Sequence, residues 1–366
     1  MRLFIALLVV VLASCAPIEN ATIIAEDQSF ELERIASGLE HPWGLAFLPD
    51  DRILVTERPG RMRIIEDGTV SQPLEGLPGV AASGQGGLLD VALHPDFDEN
   101  RYVYFTYSAT IEGGTMTRLT RARFENDRFD NVEVLFTGRP GTGSTNHYGS
   151  RIAFSDEHIY ISIGDRGRME SAQDLASHAG TIIRLNHDGT VPTDNPFVDN
   201  PDALDEIYAY GVRNPQGLIW RSDRGELWSH EHGPQGGDEV NVIRAGRNYG
   251  WPLFTYGERY GGGAIGSSER PDGIEPSIHH WTPSIAPSGM AHYTIDVLSA
   301  WTGDIFVGAL AGQRLVRLTF DGTELTGEEH LLEGEIGRIR DVRTGPDGYL
   351  YILTDARNGS LYRITP

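Results

Sequence analysis

The chain has 366 residues, 39% hydrophobic and 22% charged, which is enough apolar material for a substantial buried core. A net charge of −22 argues against nucleic acid as a partner, since phosphate binding needs clustered cations. All 30 basic residues are arginine and one cysteine is present, which excludes lysine-based covalent chemistry and any intramolecular disulfide.

Taken in chain order, residues 1–15 carry Arg2 and then an apolar run from Leu3 to Ala13, short for a bilayer span and typical of an export signal. Leu12-Ala13-Ser14-Cys15 resembles a bacterial lipobox, which predicts a periplasm-facing protein anchored to a membrane only through lipid on Cys15. Residues 16–28 read as a polar tether and residues 29–366 as a single domain. Phe30–Ala36 alternates apolar and polar residues as a strand does, yet it belongs to no local unit.

From Trp43 onward one phrase recurs six times: an apolar burst, a turn, an alternating strand, a polar corner and a further strand. The copies begin near Trp43, Leu88, Arg151, Leu218, Gly289 and Arg340. Units that cannot bury their own apolar face must stack, so the pattern predicts an all-β fold. The expected architecture is a six-bladed β-propeller of four-stranded antiparallel sheets. The sixth copy ends one strand short at Pro366, so Phe30–Ala36 is expected to complete it and close the ring. One helix is expected at Ser171–Gly180, with Ser171 as its N-cap and Gly180 beyond its end.

Candidate chemistry lies where the copies differ. Gln85 sits in a glycine-rich corner, where glycines allow close backbone approach. His147 precedes an inner strand and Asp165 follows the neighbouring one, so an imidazole and a carboxylate can meet as a general base with a fixed tautomer. Arg213 and Asn214 enter the fourth unit, where a buried guanidinium calls for an anion or developing negative charge. The Gly233-Pro234 turn offers backbone carbonyls, which suit calcium, with Asp238 and Glu239 close behind. His230 and His232 share a strand face, but no third ligand marks a zinc site. Arg338 and Arg340 share a face before the sixth inner strand and predict a polyanionic ligand, unless they merely pair with acids.

GQGGLLDVALHPDF, IGDRG, VRNPQGL, HGPQGGDEVN, RNYGWP, PSIAPSGM and RIRDV together resemble the soluble pyrroloquinoline quinone-dependent sugar dehydrogenases, nearest to the bacterial aldose sugar dehydrogenases. The likeness runs from about Leu39 to Arg363. It implies aldose oxidation to a lactone, with electrons passing to a quinone, a cytochrome or an artificial dye. His147 is implied as the base, Asp165 as its orienting partner and Arg213 as the group beside the reactive quinone carbonyl. Gln85, Asn146, Asn214, Arg338 and Arg340 are implied as cofactor contacts. Gly233 and Pro234 carbonyls are implied as calcium ligands, with a second calcium at Glu239 and the Tyr249 backbone. Where the family places a lysine against the quinone, this chain has Ala311, with Arg314 nearby as a possible substitute. Two other readings fit a propeller: a calcium-dependent lactonase, and a non-enzymatic module binding glycans or proteins.

Overall fold

A computed structural model describes residues 19–26 and 29–366; the expected signal and Cys15 lie outside the described residues. Blade one contains Pro42–Phe47, Ile53–Glu57, Arg61–Glu66 and Thr69–Val70. Blade two contains Leu88–Leu93, Tyr102–Ile111, Gly114–Glu125 and Arg128–Thr137. Blade three contains Ile152–Phe154, His158–Ile163, Thr181–Asn186 and Ile207–Tyr210. Blade four contains Pro215–Arg221, Glu226–Glu231, Asp238–Ile243 and His279–Trp281. Blade five contains Pro287–His292, Ile305–Ala309, Leu315–Asp321 and Glu324–Leu331. Blade six contains Ile339–Thr344, Leu350–Thr354, Gly359–Thr365 and, from the other end of the chain, Ser29–Leu39.

The first strand of each copy lies at one edge of its sheet, and these six strands touch in sequence, the sixth returning to the first. That closed cycle is the expected propeller. Burial follows the radial position. Leu88–Val91 in an inner strand is continuously buried, because both faces meet other blades. The outer strand Glu324–Leu331 alternates instead between solvent and core.

Ring closure also occurs as expected, with Leu32 opposite Ile364 in an antiparallel pair. The expected tether differs. Asn20–Ile24 forms a fifth strand against Ser29–Leu39, because Ile23 joins Phe30, Leu32 and Trp301 in one apolar cluster. The expected helix at Ser171–Gly180 is reduced to a single 3-10 turn, Met169–Gln173. Its polar residues compete with a helical ladder: Asp174 Oδ1 accepts the Ala176 N–H at 3.0 Å and Ser177 Oγ accepts the Ala179 N–H at 3.1 Å.

A buried ion square ties blades together across the axis. Arg151 meets Asp90 at 3.2 Å and Asp341 at 2.9 Å, and Arg343 meets the same two acids at 2.8 and 3.0 Å. Blades three and six stand opposite one another, so the Arg151–Asp341 contact spans the ring. Arg151 also lies 4.1 Å from the centre of the Trp43 ring, which forms part of a cavity above it.

Candidate active site

In an antiparallel blade the first strand begins where the second ends, so both sets of corners open at one mouth of the ring. Corners after the second strands supply Arg58, Asp165, His232, Leu310 and Asp355; approaches to the first strands supply Gln85, His147, Asn214, Ala286 and Arg338. A cavity of about 250 Å³ lies there, with wall residues from all six blades. Gln85, Asn214, Arg338 and Arg340 line it directly.

His147 Nδ1 lies 2.6 Å from Asp165 Oδ1. An ionised carboxylate only accepts, so Nδ1 carries the proton and Nε2 keeps a lone pair. The backbone at His147 is left-handed, with φ +53°, a conformation that costs on the order of 1 kcal/mol for a non-glycine residue. Three contacts hold it. Its N–H donates to Gln85 Oε1 at 2.7 Å, the neighbouring Asn146 carbonyl accepts from Arg166, and Arg166 also donates to the Ser144 carbonyl at 2.5 Å. Gly164 is required beside this loop, because a Cβ there would lie 2.3 Å from the His147 carbonyl oxygen. Asn146 itself is exposed and sits at the rim.

From this dyad a hydrogen-bonded chain runs along the cavity wall. Asn214 Oδ1 accepts the Gly149 N–H at 3.2 Å, and Gln216 Nε2 approaches the same oxygen at 3.5 Å. Arg340 donates to Gln216 Oε1 at 3.2 Å and to Asp355 at 2.8 Å. Arg338 reaches the same Asp355 carboxylate at 3.5 Å. Arg58 completes a wall of three arginines against Asp355, the sole carboxylate of that wall among the described residues. Burial raises the pKa of Asp355, but the charge and hydrogen bond of Arg340, the His41 hydrogen bond and the charge of Arg58 together outweigh it and hold the carboxyl far below its usual range. A net positive cavity in a protein of charge −22 suits an anionic ligand.

Arg213 is buried and donates to the carbonyls of His232 at 3.0 Å and Gly233 at 2.7 Å. Of the Gly233-Pro234 turn, the Gly233 carbonyl thus accepts from a guanidinium, as does the His232 carbonyl just before it. No Cβ fits at Gly233, which would meet the Gly236 carbonyl oxygen at 2.2 Å. Asp238 is a different matter. Its carboxylate accepts from the backbone of Gly233, Ile285 and Ala286 and from the Ser284 hydroxyl, so it acts as a buried brace for this turn. His230 and His232 reach the Gly289 and Pro287 carbonyls at 3.5 and 2.6 Å. Among the described residues, no three His, Cys, Asp or Glu side chains gather as a metal cage.

Behind the turn, Glu231, Glu239 and Tyr249 border a space of about 10 Å³, the size of one small ion or water. Neither acid is paired side chain to side chain with a cation among the described residues, although Arg213 borders the same space and its backbone N–H donates to Glu231, while Asn241 donates to Glu239 at 3.3 Å. Burial, with the charge of Glu239, pushes the Glu231 carboxyl well above its usual range; burial pushes Glu239 up to about 7. Two desolvated acids side by side fit a cation.

Arg314, the basic residue nearest Ala311, does not line the cavity. Its guanidinium pairs with Glu333 at 2.9 Å and His330 at 2.8 Å on the outer strand. Arg58 stands on the cavity wall instead. Sequence reasoning passed over Arg58, Trp43 and Asp355, and weighed His232 only as a zinc ligand, not as a wall of this cavity. Repeat register was the available signal for three of them, since Arg58, His232 and Asp355 occupy the same corner of their copies as Asp165.

The sequence profile described as Glucose / Sorbosone dehydrogenase matches residues 39–363. The chain belongs to this family. Among its relatives, the aldose sugar dehydrogenase YliI of Escherichia coli K12 is 39% identical, over 95% of this chain and 96% of the relative. Quinoprotein glucose dehydrogenase B of Acinetobacter calcoaceticus is 33% identical, over 82% of this chain and 68% of its own. The PQQ-bound aldose sugar dehydrogenase of Streptomyces coelicolor superposes with a TM-score of 0.75 at 30% identity, over 95% of this chain and all (100%) of the other. Glucose / sorbosone dehydrogenase membership and the shared ring therefore agree.

Proposed function

We propose that this protein oxidises aldoses at the anomeric carbon to lactones, using pyrroloquinoline quinone and calcium. Bound quinone supplies a two-electron acceptor and calcium a Lewis acid beside it. The chain's own residues supply the rest. His147 Nε2 takes the proton of the anomeric hydroxyl as hydride leaves the same carbon, so that carbon becomes the lactone carbonyl. Asp165 keeps the imidazole in the required tautomer and stabilises it once protonated. Arg213 would stabilise negative charge on the electron acceptor. Arg338 and Arg340, with Arg58, hold ligand carboxylates; Gln85, Asn146 and Asn214 supply polar contacts around them. Gly233 and Pro234 carbonyls would hold one calcium, and Glu239 with the Tyr249 backbone would hold a second. Electrons leave afterwards to a quinone, a cytochrome or an artificial dye.

One observation carries this reading: a tautomer-fixed His147–Asp165 pair stands at the same mouth as the arginine-walled cavity. Purified apoprotein with added calcium and pyrroloquinoline quinone should reduce a dye in the presence of aldose, and His147→Ala should not. Equal rates in the two proteins would remove His147 from the chemistry. Quinone binding without any aldose-dependent turnover would remove the activity itself.

Lipid anchoring through Cys15, at the periplasmic side of a membrane, belongs to the same proposal and rests on the lipobox-like sequence. Cys15→Ser should then shift the protein from the membrane fraction to the soluble one; unchanged fractionation would sink the anchor.

A further inference from the structure

Trp251 lies in the long connection of blade four, residues 244–278, and is nearly buried at 6% exposure. Its indole N–H donates to Asp165 Oδ2 at 2.8 Å. The other oxygen, Oδ1, takes both His147 Nδ1 at 2.6 Å and the Gly167 N–H at 2.7 Å. A carboxylate gripped at one oxygen is free to turn about its last bond, because that torsion has broad wells. The indole is the contact that fixes the second oxygen, and with it the plane of the carboxylate. Trp251 is itself held from three sides. Its N–H donates to the Gly211 carbonyl at 2.8 Å, its carbonyl accepts from Gln173 Nε2 at 2.7 Å, and its ring packs with Ala172 and Ile265. The same ring lies 5.3 Å from the guanidinium carbon of Arg213.

We infer that Trp251 is a positioning residue of the site, fixing the Asp165 carboxylate and so the direction of the His147 Nε2 lone pair, with Arg213 aligned against the ring. It makes the geometry of the blade-three dyad depend on a loop of blade four. The inference rests on the sugar-oxidising reading for its kinetic consequence, though not for its structural one.

Trp251→Phe keeps a ring and removes the N–H. Aldose turnover by the quinone-loaded variant should fall about tenfold in kcat, with the sugar KM and quinone affinity within about twofold, as expected for misplaced reacting groups. Asp165→Asn combined with Trp251→Phe should lose no more than Asp165→Asn alone, since both act through one carboxylate. In the apoprotein, the far-downfield proton resonance of His147 Nδ1–H, identified by its loss in His147→Gln, should move or broaden in Trp251→Phe. Trp251→Leu, which also removes the ring, separates general packing loss: its melting temperature should fall while that of Trp251→Phe stays close to wild type. Unchanged kcat with an unchanged resonance would overturn the inference, as would losses that add with Asp165→Asn. If even wild type fails to turn over aldose, the underlying reading fails, and the resonance still decides the role of Trp251.

Discussion

Glu231 and Glu239 show how a single side chain can be read through its surroundings. Both are buried without an ion-pair partner among the described residues, and burial opposes ionisation of each. Such acids either stay protonated or meet a cation. With calcium, the second outcome should appear as stability: at a hundredfold excess over Kd, one site contributes about 2.7 kcal/mol. A chelator should therefore lower the wild-type melting temperature, and Glu239→Gln should lose the share of that calcium-dependent difference that belongs to its own site, seen as a smaller chelator shift in differential scanning calorimetry. A full calcium response in Glu239→Gln would place the ion elsewhere.

At the scale of strands, two devices hold blades together. The first is the closing strand Ser29–Leu39, whose Leu32 is fully buried between chain termini. Truncating a buried leucine removes transfer energy and leaves a cavity, so Leu32→Ala should cost about 3 kcal/mol in urea unfolding. A loss below about 1 kcal/mol would mean that the closing strand contributes little to ring stability. The second device joins the outer strands of blades four and five. Glu328 lies 3.0 Å from His279 Nε2 as an ion pair, accepts from the Trp281 indole at 3.0 Å and is 2.7 Å from His330 Nε2 on its own strand. Its pKa is lowered to about 2, chiefly by the His279 hydrogen bond, against an opposing burial effect. A carboxyl depressed in the folded state stabilises above its unfolded pKa and loses that contribution as pH falls through the folded value. Wild type should thus exceed Glu328→Gln in stability by about 1–2 kcal/mol near pH 7, after allowance for solvent screening. That gap should shrink below about pH 4.5 and close near pH 2, the pKa of the folded state. A pH-independent gap would show that the tie is not ionic.

The whole molecule presents an acidic exterior, at −22, around a cavity walled by three arginines. Long-range attraction should favour a cationic electron acceptor over a neutral or anionic one, and salt should screen it. Reoxidation rates with a cationic acceptor should fall several-fold between about 20 mM and about 300 mM salt, a range over which the screening length shortens roughly fourfold. With a neutral acceptor the rate should stay nearly level. Equal salt dependence for both would show that the acceptor docks away from the acidic field.

Much of this architecture was legible along the chain because a blade is a local object. Its strands are consecutive, its corners are polar, and six similar phrases leave a ring as the way to bury every face. The site was legible in the same terms where residues broke the phrase: Gln85, His147, Asp165, Asn214, Arg338 and Arg340 all reach one mouth. Other features depended on distances across the ring. Composition made residues 20–24 look like tether, yet burial of Ile23 in a distant cluster made them a strand. Arg314 and Arg58 are equally charged on paper; Glu333 draws one outward, while its corner in the repeat turns the other into the cavity. Trp251 read as a motif residue until its indole met a carboxylate 86 positions away. Local pattern determines strands and corners, because their hydrogen bonds are short-range in sequence. Which charge is free, and which ring holds which acid, depends on neighbours that only the closed ring brings together.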